Sequence, residues 1–516
     1  MKSIIVFFLL AYCFATHVFG QAYEQVPTTL SGYYDVQSSG AAPQYLVRDP
    51  SDPKNSHVTF LSTVSTHVDS GLQISYAYSY GGYNWHGSHL VHPPLIGTPA
   101  LELWSGSPVV VFNRLSHDTV FTSLFSNQFG GELSLPRFGG LDEPQNPRIA
   151  TTADGRLFVV AVRPISDTAH TLLFDPHTQP TWSEPLPVIH FGDQYVVAAN
   201  DSGRVAIVWS SADTVGFLES FDNGETFNSP VILFATQIIN GDLVHPGKGL
   251  DAVYVGNALF VVWSAIGSTP RSARILSWNP VGGLMTVADS SKLFLSLASS
   301  MHPQDDHFVL DRPSIGRYKG SASVGCAFVV FKEGEVDNEG WNYGDIYVAE
   351  GWLEHWNFCY NATNTPTVDE RYVKVASHNP PVFGLFMIAY QADSVAGPNL
   401  LRDKTSVAIQ YVQQVGVIDL SVDESGKLPF SPALYQNYPN PFNPRTTLRY
   451  SLTRASHVRL MVYDILGREV AVLVNRFQSP GTREAHWDAY GLPSGLYFYR
   501  VQTPEFTQTK KMLLIQ

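Results

Sequence analysis

The stretch Asp201–Phe227, DSGRVAIVWSSADTVGFLESFDNGETF, is the unit from which the rest of the chain can be read. It opens on a turn at Asp201-Ser202-Gly203-Arg204, runs through the apolar segment Val205–Trp209, and ends in a second glycine turn closed by Phe227. An apolar run this short, continuous and β-branched is the pattern of a strand buried on both faces. The glycine before it supplies the positive φ that a tight hairpin needs. A hairpin followed by a more polar pair of strands is the expectation for the unit.

The apolar run recurs at His57–Phe60, Val109–Phe112, Leu157–Val162, Phe260–Trp263, Phe328–Phe331 and Phe386–Tyr390. The copies lie about 50 to 70 residues apart, which suits a four-stranded propeller blade with loops of variable length. One such sheet cannot cover both of its faces, so copies set side by side and closed radially are the expected solution. An all-β fold follows, with a propeller of six or seven blades over residues 21–425, seven being favoured. Composition agrees: 13% aromatic and 15% charged residues, with 40 Gly and 34 Pro in 516 residues, describe turn-punctuated strands and not long charged helices.

The second half of the unit, Ser220-Phe-Asp222-Asn-Gly224-Glu-Thr226-Phe227, has the form S-x-D-x-G-x-T-F. It resembles the Asp box, or BNR repeat, of sialidase-like propellers. In that resemblance Asp222 bonds the backbone of its own turn, Gly224 supplies the tight φ and Phe227 packs beneath. The motif implies scaffold, not catalysis. Degenerate counterparts are the Tyr78–Trp85 segment and the one running from Phe174 and Asp175 to Thr181 and Trp182.

From about Lys427 the pattern changes. The segments Tyr438–Pro444 (YPNPFNP), Val462–Val470 (VYDILGREV), Ser494–Arg500 (SGLYFYR) and Lys510–Met512 (KKM) follow one another, with alternating apolar residues at Val458, Leu460, Val462 and at Tyr497, Tyr499, Val501. Such alternation marks half-buried strands, and a small Ig-like β-sandwich is expected over residues 426–516. The segment from about 428 to 516 resembles the C-terminal sorting domain of type IX secretion system cargo. That resemblance implies handling by the type IX machinery and export across the outer membrane to the cell surface or the medium.

The other terminus fits. Lys2, the apolar run Ile4–Ala15 and a cleavage site near Val18-Phe19-Gly20 read as a signal peptide over residues 1–20. No other stretch is long and apolar enough to span a bilayer, so no transmembrane segment is expected after its removal. Cys326 and Cys359 then remain, and permit one disulfide or two buried thiols. A net charge of −13 without a Lys/Arg cluster excludes a general nucleic-acid binder.

Chemistry is less legible. Arg48, Arg148 and Arg312 stand at the starts of expected inner strands, where three guanidinium groups can converge on a carboxylate as in a sialidase. The family's F/Y-R-I-P signature is missing, and solvated strand caps are the competing reading. His302, Asp305, Asp306 and His307 have metal-ligand chemistry but no recognised ligand spacing, so an exposed polar loop and no metal are expected. No nucleotide, hydrolase-elbow or zinc-protease motif occurs, and no cofactor is expected. Trp85, Trp341, Trp352 and Trp356 sit in aromatic-rich segments and are candidates for stacking on sugar rings, with core packing as the alternative. The expected function is binding of glycans or surface polymers; a sialidase-like glycoside hydrolase and a structural surface-layer component are the alternatives.

Overall fold

The structure, a computed structural model, describes the chain from residue 22 to 515 except for 33–40, 42–43, 50–54, 63–72, 80–84, 92–94, 117–118, 127–130, 135–144, 164–167, 176–180, 184–185, 191–193, 319–320, 358, 364, 380–386, 399–407, 417–432, 435–436, 438–439, 453–455, 466, 479–480 and 504–505. The signal-peptide segment lies outside the described residues. Contacts divide the chain into two compact units, one of Tyr23–Val415 and one carrying Gly416–Gln516.

The larger unit is all-β. Among the described residues it holds seven antiparallel sheets of four or five strands, apart from one short parallel pairing at the edge of the sixth. The first strands are Leu46–Arg48, Leu95–Trp104, Gln145–Thr151, Gln194–Ala199, Asp242–Val255, Leu310–Tyr318 and Asp369–Val375. Each pairs with a second strand: Ser56–Ser62, Ser107–Ser116, Leu157–Arg163, Val205–Ser210, Ala258–Ile266, Val324–Val336 and Met387–Asp393. These second strands are where the repeated apolar runs fall; of the last run, Phe386 lies outside the described residues. The last sheet is completed by a strand from the opposite end of the unit, since Ala22–Gly32 joins Ala408–Gly416.

Burial explains why these runs are continuous and not alternating. Along Ala258–Ile266, Phe260 and Val262 pack into one core with Ile315 and Phe328, while Val261 and Trp263 pack into another with Val205 and Val208. Every side chain from Val205 to Ser210 is buried. At about 1.5–3 kcal/mol for each fully buried Val, Leu, Ile or Phe, these strands supply much of the driving force for folding.

Two local devices recur. Between first and second strands, Gly106, Gly155, Gly203 and Gly256 take positive φ in the hairpin turn. Near the start of five first strands the register shifts, between Ile96 and Ala100, Gln145 and Arg148, Pro246 and Leu250, Asp311 and Ser314, and Arg371 and Lys374. Inside four of these bulges a residue enters the left-handed region: Asn146, Gly249, Arg312 and Tyr372. Only glycine fits at 249, because a Cβ there would stand 2.7 Å from Arg312 Cα. A bulge re-aims the side chains that follow it. Two residues beyond Asn146, Gly249 and Tyr372 come Arg148, Asp251 and Lys374.

Ser220–Phe227 folds into a closed turn. Asp222 accepts from Thr226 N (2.9 Å), Thr226 Oγ1 (2.6 Å) and Ser220 Oγ (2.7 Å), and Gly224 N donates to Ser220 Oγ at 2.9 Å. Gly224 has φ +89°, and a Cβ would sit 2.6 Å from the Phe158 ring of the preceding sheet. Phe227 stacks against the same ring at 5.8 Å.

The smaller unit holds a three-stranded sheet (Ala433–Leu434, Arg445–Leu452, Gly481–Asp488) and a four-stranded sheet in the order Glu469–Gln478, Ser456–Tyr463, Gly495–Gln502, Thr507–Leu514. The two share one core, which includes Leu448, Tyr450, Leu460, Val462, Trp487, Tyr499 and Leu514. Its motifs have structural reasons. Phe442 is buried against Trp487, its N–H donates to Leu513 O, and its carbonyl accepts from Ile515 N, so the N-terminal motif is fastened to the last strand. Asp464 accepts from the backbone and side chain of Arg468 around Gly467, which closes a hairpin.

Candidate functional site

Residues from all seven first strands, or from the turns at their ends, line one cavity of about 560 Å³ in the larger unit. Its polar lining is charged: Arg48, Arg148, Arg317 and Lys374 against Asp49, Glu102, Asp201 and Asp251.

Asp251 organises one side. Its Oδ2 accepts from Lys374 Nζ (2.7 Å), Ser314 Oγ (2.7 Å) and Ile315 N (3.0 Å), and its Oδ1 accepts from Ala252 N at 3.0 Å. Three consecutive first strands are thus joined through one buried carboxylate, and Lys374 is neutralised. Arg317 lies 2.6 Å from His378 Nε2 and 3.9 Å from Asp201, and burial lowers its pKa. Tyr254 donates to Glu219 at 2.7 Å, and Glu219 pairs with Arg204.

Arg148 is different. Its side chain is 2% exposed, its Nη1 donates to the adjacent Pro147 O at 3.3 Å, and its Nε has no acceptor. Among the described residues no carboxylate pairs with it; the Tyr195 ring centroid is 5.9 Å from its guanidinium. Burial lowers its pKa, opposed by the nearby Tyr195 and Asp251. A buried guanidinium without a counter-ion costs several kcal/mol, a cost that a bound anion would offset. Half-buried Glu102 adds a second unusual group: burial pushes its pKa up to about 7, against the pull of the Leu103 N–H and the Lys374 charge. Near neutral pH it is therefore a carboxyl able to donate as well as accept.

Of the three arginines singled out from sequence, Arg48 and Arg148 come together on the cavity, with Arg48 Nη1 3.5 Å from Asn379 Oδ1. Arg312 does not line it. It lies in a buried ionic cluster, 2.7 Å from Asp306, with its guanidinium 5.3 Å from the Tyr372 ring centroid. The same cluster corrects the expectation of an exposed loop for Asp305 and His307, whose side chains are completely buried, while Pro303, Gln304 and Asp306 are exposed. Arg371 grips Asp305 through both terminal nitrogens (2.9 and 2.8 Å) and Asp369 through Nε (2.7 Å). Burial would raise the pKa values of Asp305 and Asp306; the charges of Arg371 and Arg312 and the bonds with His307 overcome it and hold both far below the usual range. Asp305, Asp306 and His307 bring their ligating atoms together, yet Arg371 Nη1 lies 2.9 Å from Asp305 Oδ1 and 3.0 Å from His307 Nδ1. The guanidinium fills the place of a cation.

The tryptophans are mostly packed. Trp85, Trp341 and Trp356 are buried; Trp356 donates to Ser277 Oγ at 2.7 Å and Trp341 stacks on His302 at 3.7 Å. Trp352 is half-buried and stacks on His355 at 4.8 Å. Cys326 and Cys359 are free thiols, not a disulfide. Glu102, Asp251, Lys374 and Arg317 were missed in the sequence. The available signal was a lone charge within an apolar strand, as in Leu101-Glu-Leu103, Leu250-Asp-Ala252 and Val373-Lys-Val375.

The chain is thus all-β, with a charged cavity in one unit and a second β unit at its C-terminal end. Residues 436–516 match the family described as the secretion system C-terminal sorting domain. This segment is the type IX sorting domain, and the chain is exported to the cell surface or extracellular space. No curated protein matches the chain. Among solved structures it is similar to the polysaccharide lyase Uly1 (11% identity, TM-score 0.44, covering 78% of this chain and 100% of that one). It is also similar to the NanB sialidase from Streptococcus pneumoniae (9%, 0.36, 75% and 70%) and the intramolecular trans-sialidase from Ruminococcus gnavus (10%, 0.36, 77% and 99%). Likenesses this distant carry no activity over to this chain. Among the described residues, no helix is long and apolar enough to cross a membrane.

Proposed function

We propose that the protein is an exported binding protein: a signal peptide (1–20), a seven-bladed β-propeller (21–425) and an Ig-like sorting sandwich (426–516), with the cavity between the first strands taking an anionic group of a glycan or surface polymer. Seven sheets whose first strands share one cavity favour the propeller, and Ser220, Asp222, Gly224 and Phe227 have the bonding expected of an Asp-box turn. The observation that carries the binding reading is Arg148, a buried guanidinium without a carboxylate partner, facing a cavity of ligand size that Arg48 also lines. Calorimetric titration with uronate- or sialate-containing oligosaccharides tests it, with neutral counterparts as controls. Binding of the acidic sugars only, weakened at least tenfold by Arg148→Gln, is expected. Equal heats for both classes, or none for either, would reject it, and the latter would favour a structural surface-layer role.

One observation favours a second reading, a glycoside hydrolase. Glu102 has the near-neutral pKa of a general acid and lies on the same cavity as three arginines and Tyr254. Turnover of an acidic aryl glycoside that disappears in Glu102→Gln while binding persists would establish it.

A further inference from the structure

The four-stranded sheet of the sorting domain has an outward face unlike the polar outer face of an ordinary sandwich. One side of the sheet buries Val458, Leu460, Val462, Tyr497, Tyr499, Val501, Met512 and Leu514 in the core. On the other side, register places Tyr463 beside Phe498, Phe498 beside Lys511, and Leu496 beside Leu513. Leu496 and Leu513 are each 38% exposed, with Val472 (44%) on the neighbouring strand. Arg500 lies over the Tyr463 ring at 5.3 Å and is held by Thr509 Oγ1 at 3.0 Å. Of the sixteen exposed large hydrophobic residues described in the chain, seven fall between 465 and 515. Three of them, Val472, Leu496 and Leu513, lie on this face, and uncovered apolar patches mark contact surfaces. Charge is concentrated too. Residues 428–516 contain ten Lys/Arg and five Asp/Glu, while the chain as a whole carries −13.

We propose that this face, centred on Phe498, Tyr463, Leu496 and Leu513 and rimmed by Arg500 and Lys511, is the surface by which the secretion machinery reads the sorting domain. The partner it fits is a protein with an apolar patch bordered by acidic side chains. The apolar centre supplies desolvation, while the cations steer the domain to its partner and exclude basic surfaces. An acidic cargo attached to a basic address domain presents one region of opposite sign to such a partner.

The test uses the full chain expressed in a bacterium with a working type IX system. Two double variants change the face, Leu496→Gln/Leu513→Gln and Arg500→Glu/Lys511→Glu, and Arg445→Glu/Arg449→Glu makes the same charge change on the other sheet. All six positions are exposed, so folding is expected to persist and is checked by the thermal midpoint of each purified chain. Both face variants are expected to lower exported protein at least tenfold, with retention in the periplasm, while the control exports within twofold of the parent. Normal export of either face variant would overturn the proposal. So would an equal loss in the control, which would assign the effect to net charge and not to this face.

Discussion

Asp251 and Lys374, 123 residues apart, form a 2.7 Å ion pair on first strands two sheets apart, and Ser314 of the sheet between them donates to the same carboxylate. Both charged side chains are buried, so the pair fixes how three strands meet around the cavity. Removing one partner leaves the other charge buried and uncompensated. Asp251→Ala is expected to cost about 3–5 kcal/mol, and Asp251→Ala/Lys374→Met much less, because the double change removes both charges. Denaturant midpoints of the two variants make the comparison; equal losses would contradict the pairing.

Arg148 sets stability against binding. Arg148→Met keeps most of the volume and removes an unpaired buried charge, so the ligand-free protein should gain about 1–3 kcal/mol while losing affinity for acidic sugars. A melting temperature that falls would show that the guanidinium is satisfied within the fold.

Glu102 makes stability depend on pH. Its pKa rises from an ordinary 4.5 to about 7 on folding, and buried Glu370, likewise raised by burial, reaches about 8. Between these limits the folded chain holds protons that the unfolded chain has lost. Stability from these groups is therefore fully present below pH 4.5 and is lost as pH rises through 7 to 8. Glu102 contributes up to about 3 kcal/mol to this fall, since each tenfold change in proton affinity is worth about 1.4 kcal/mol. Glu102→Gln should flatten the slope of denaturant midpoint against pH between 5 and 8; an unchanged slope would exclude Glu102 as its source. Asp305 and Asp306 act in the opposite sense, since their depressed values mean stability lost as pH falls below the usual carboxylate range.

Gly224 tests the turn that closes the repeat. An alanine there meets both an unfavourable φ of +89° and the Phe158 ring at 2.6 Å, so Gly224→Ala should cost about 2–4 kcal/mol. Asp222→Ala, which removes turn hydrogen bonds at a largely exposed site, should cost about 1–2 kcal/mol. Thermal midpoints that rank the two in the reverse order would contradict the packing role of Phe158.

The recurring apolar runs were legible in the sequence because a strand buried on both faces needs apolar side chains at consecutive positions, and that pattern is local. The sorting domain was legible for a related reason: Asp464, Gly467 and Phe442 perform turn and fastening roles that demand particular residue types. The cavity was not. Arg148, Glu102, Asp251 and Lys374 are isolated charges in apolar strands, and nothing in the neighbouring residues says which will be paired. Two strands with the same apolar pattern can present a neutralised lysine or an arginine without a carboxylate partner. That is decided by the bulges that aim each side chain and by partners more than a hundred residues away. Local residue patterns were enough to read the β-sheet repeat, the sorting domain and hence the export of the chain. That Arg48 and Arg148 share a cavity while Arg312 is locked against Asp306 emerges in the folded chain alone, because charge pairing across sheets depends on distances that the order of residues does not contain.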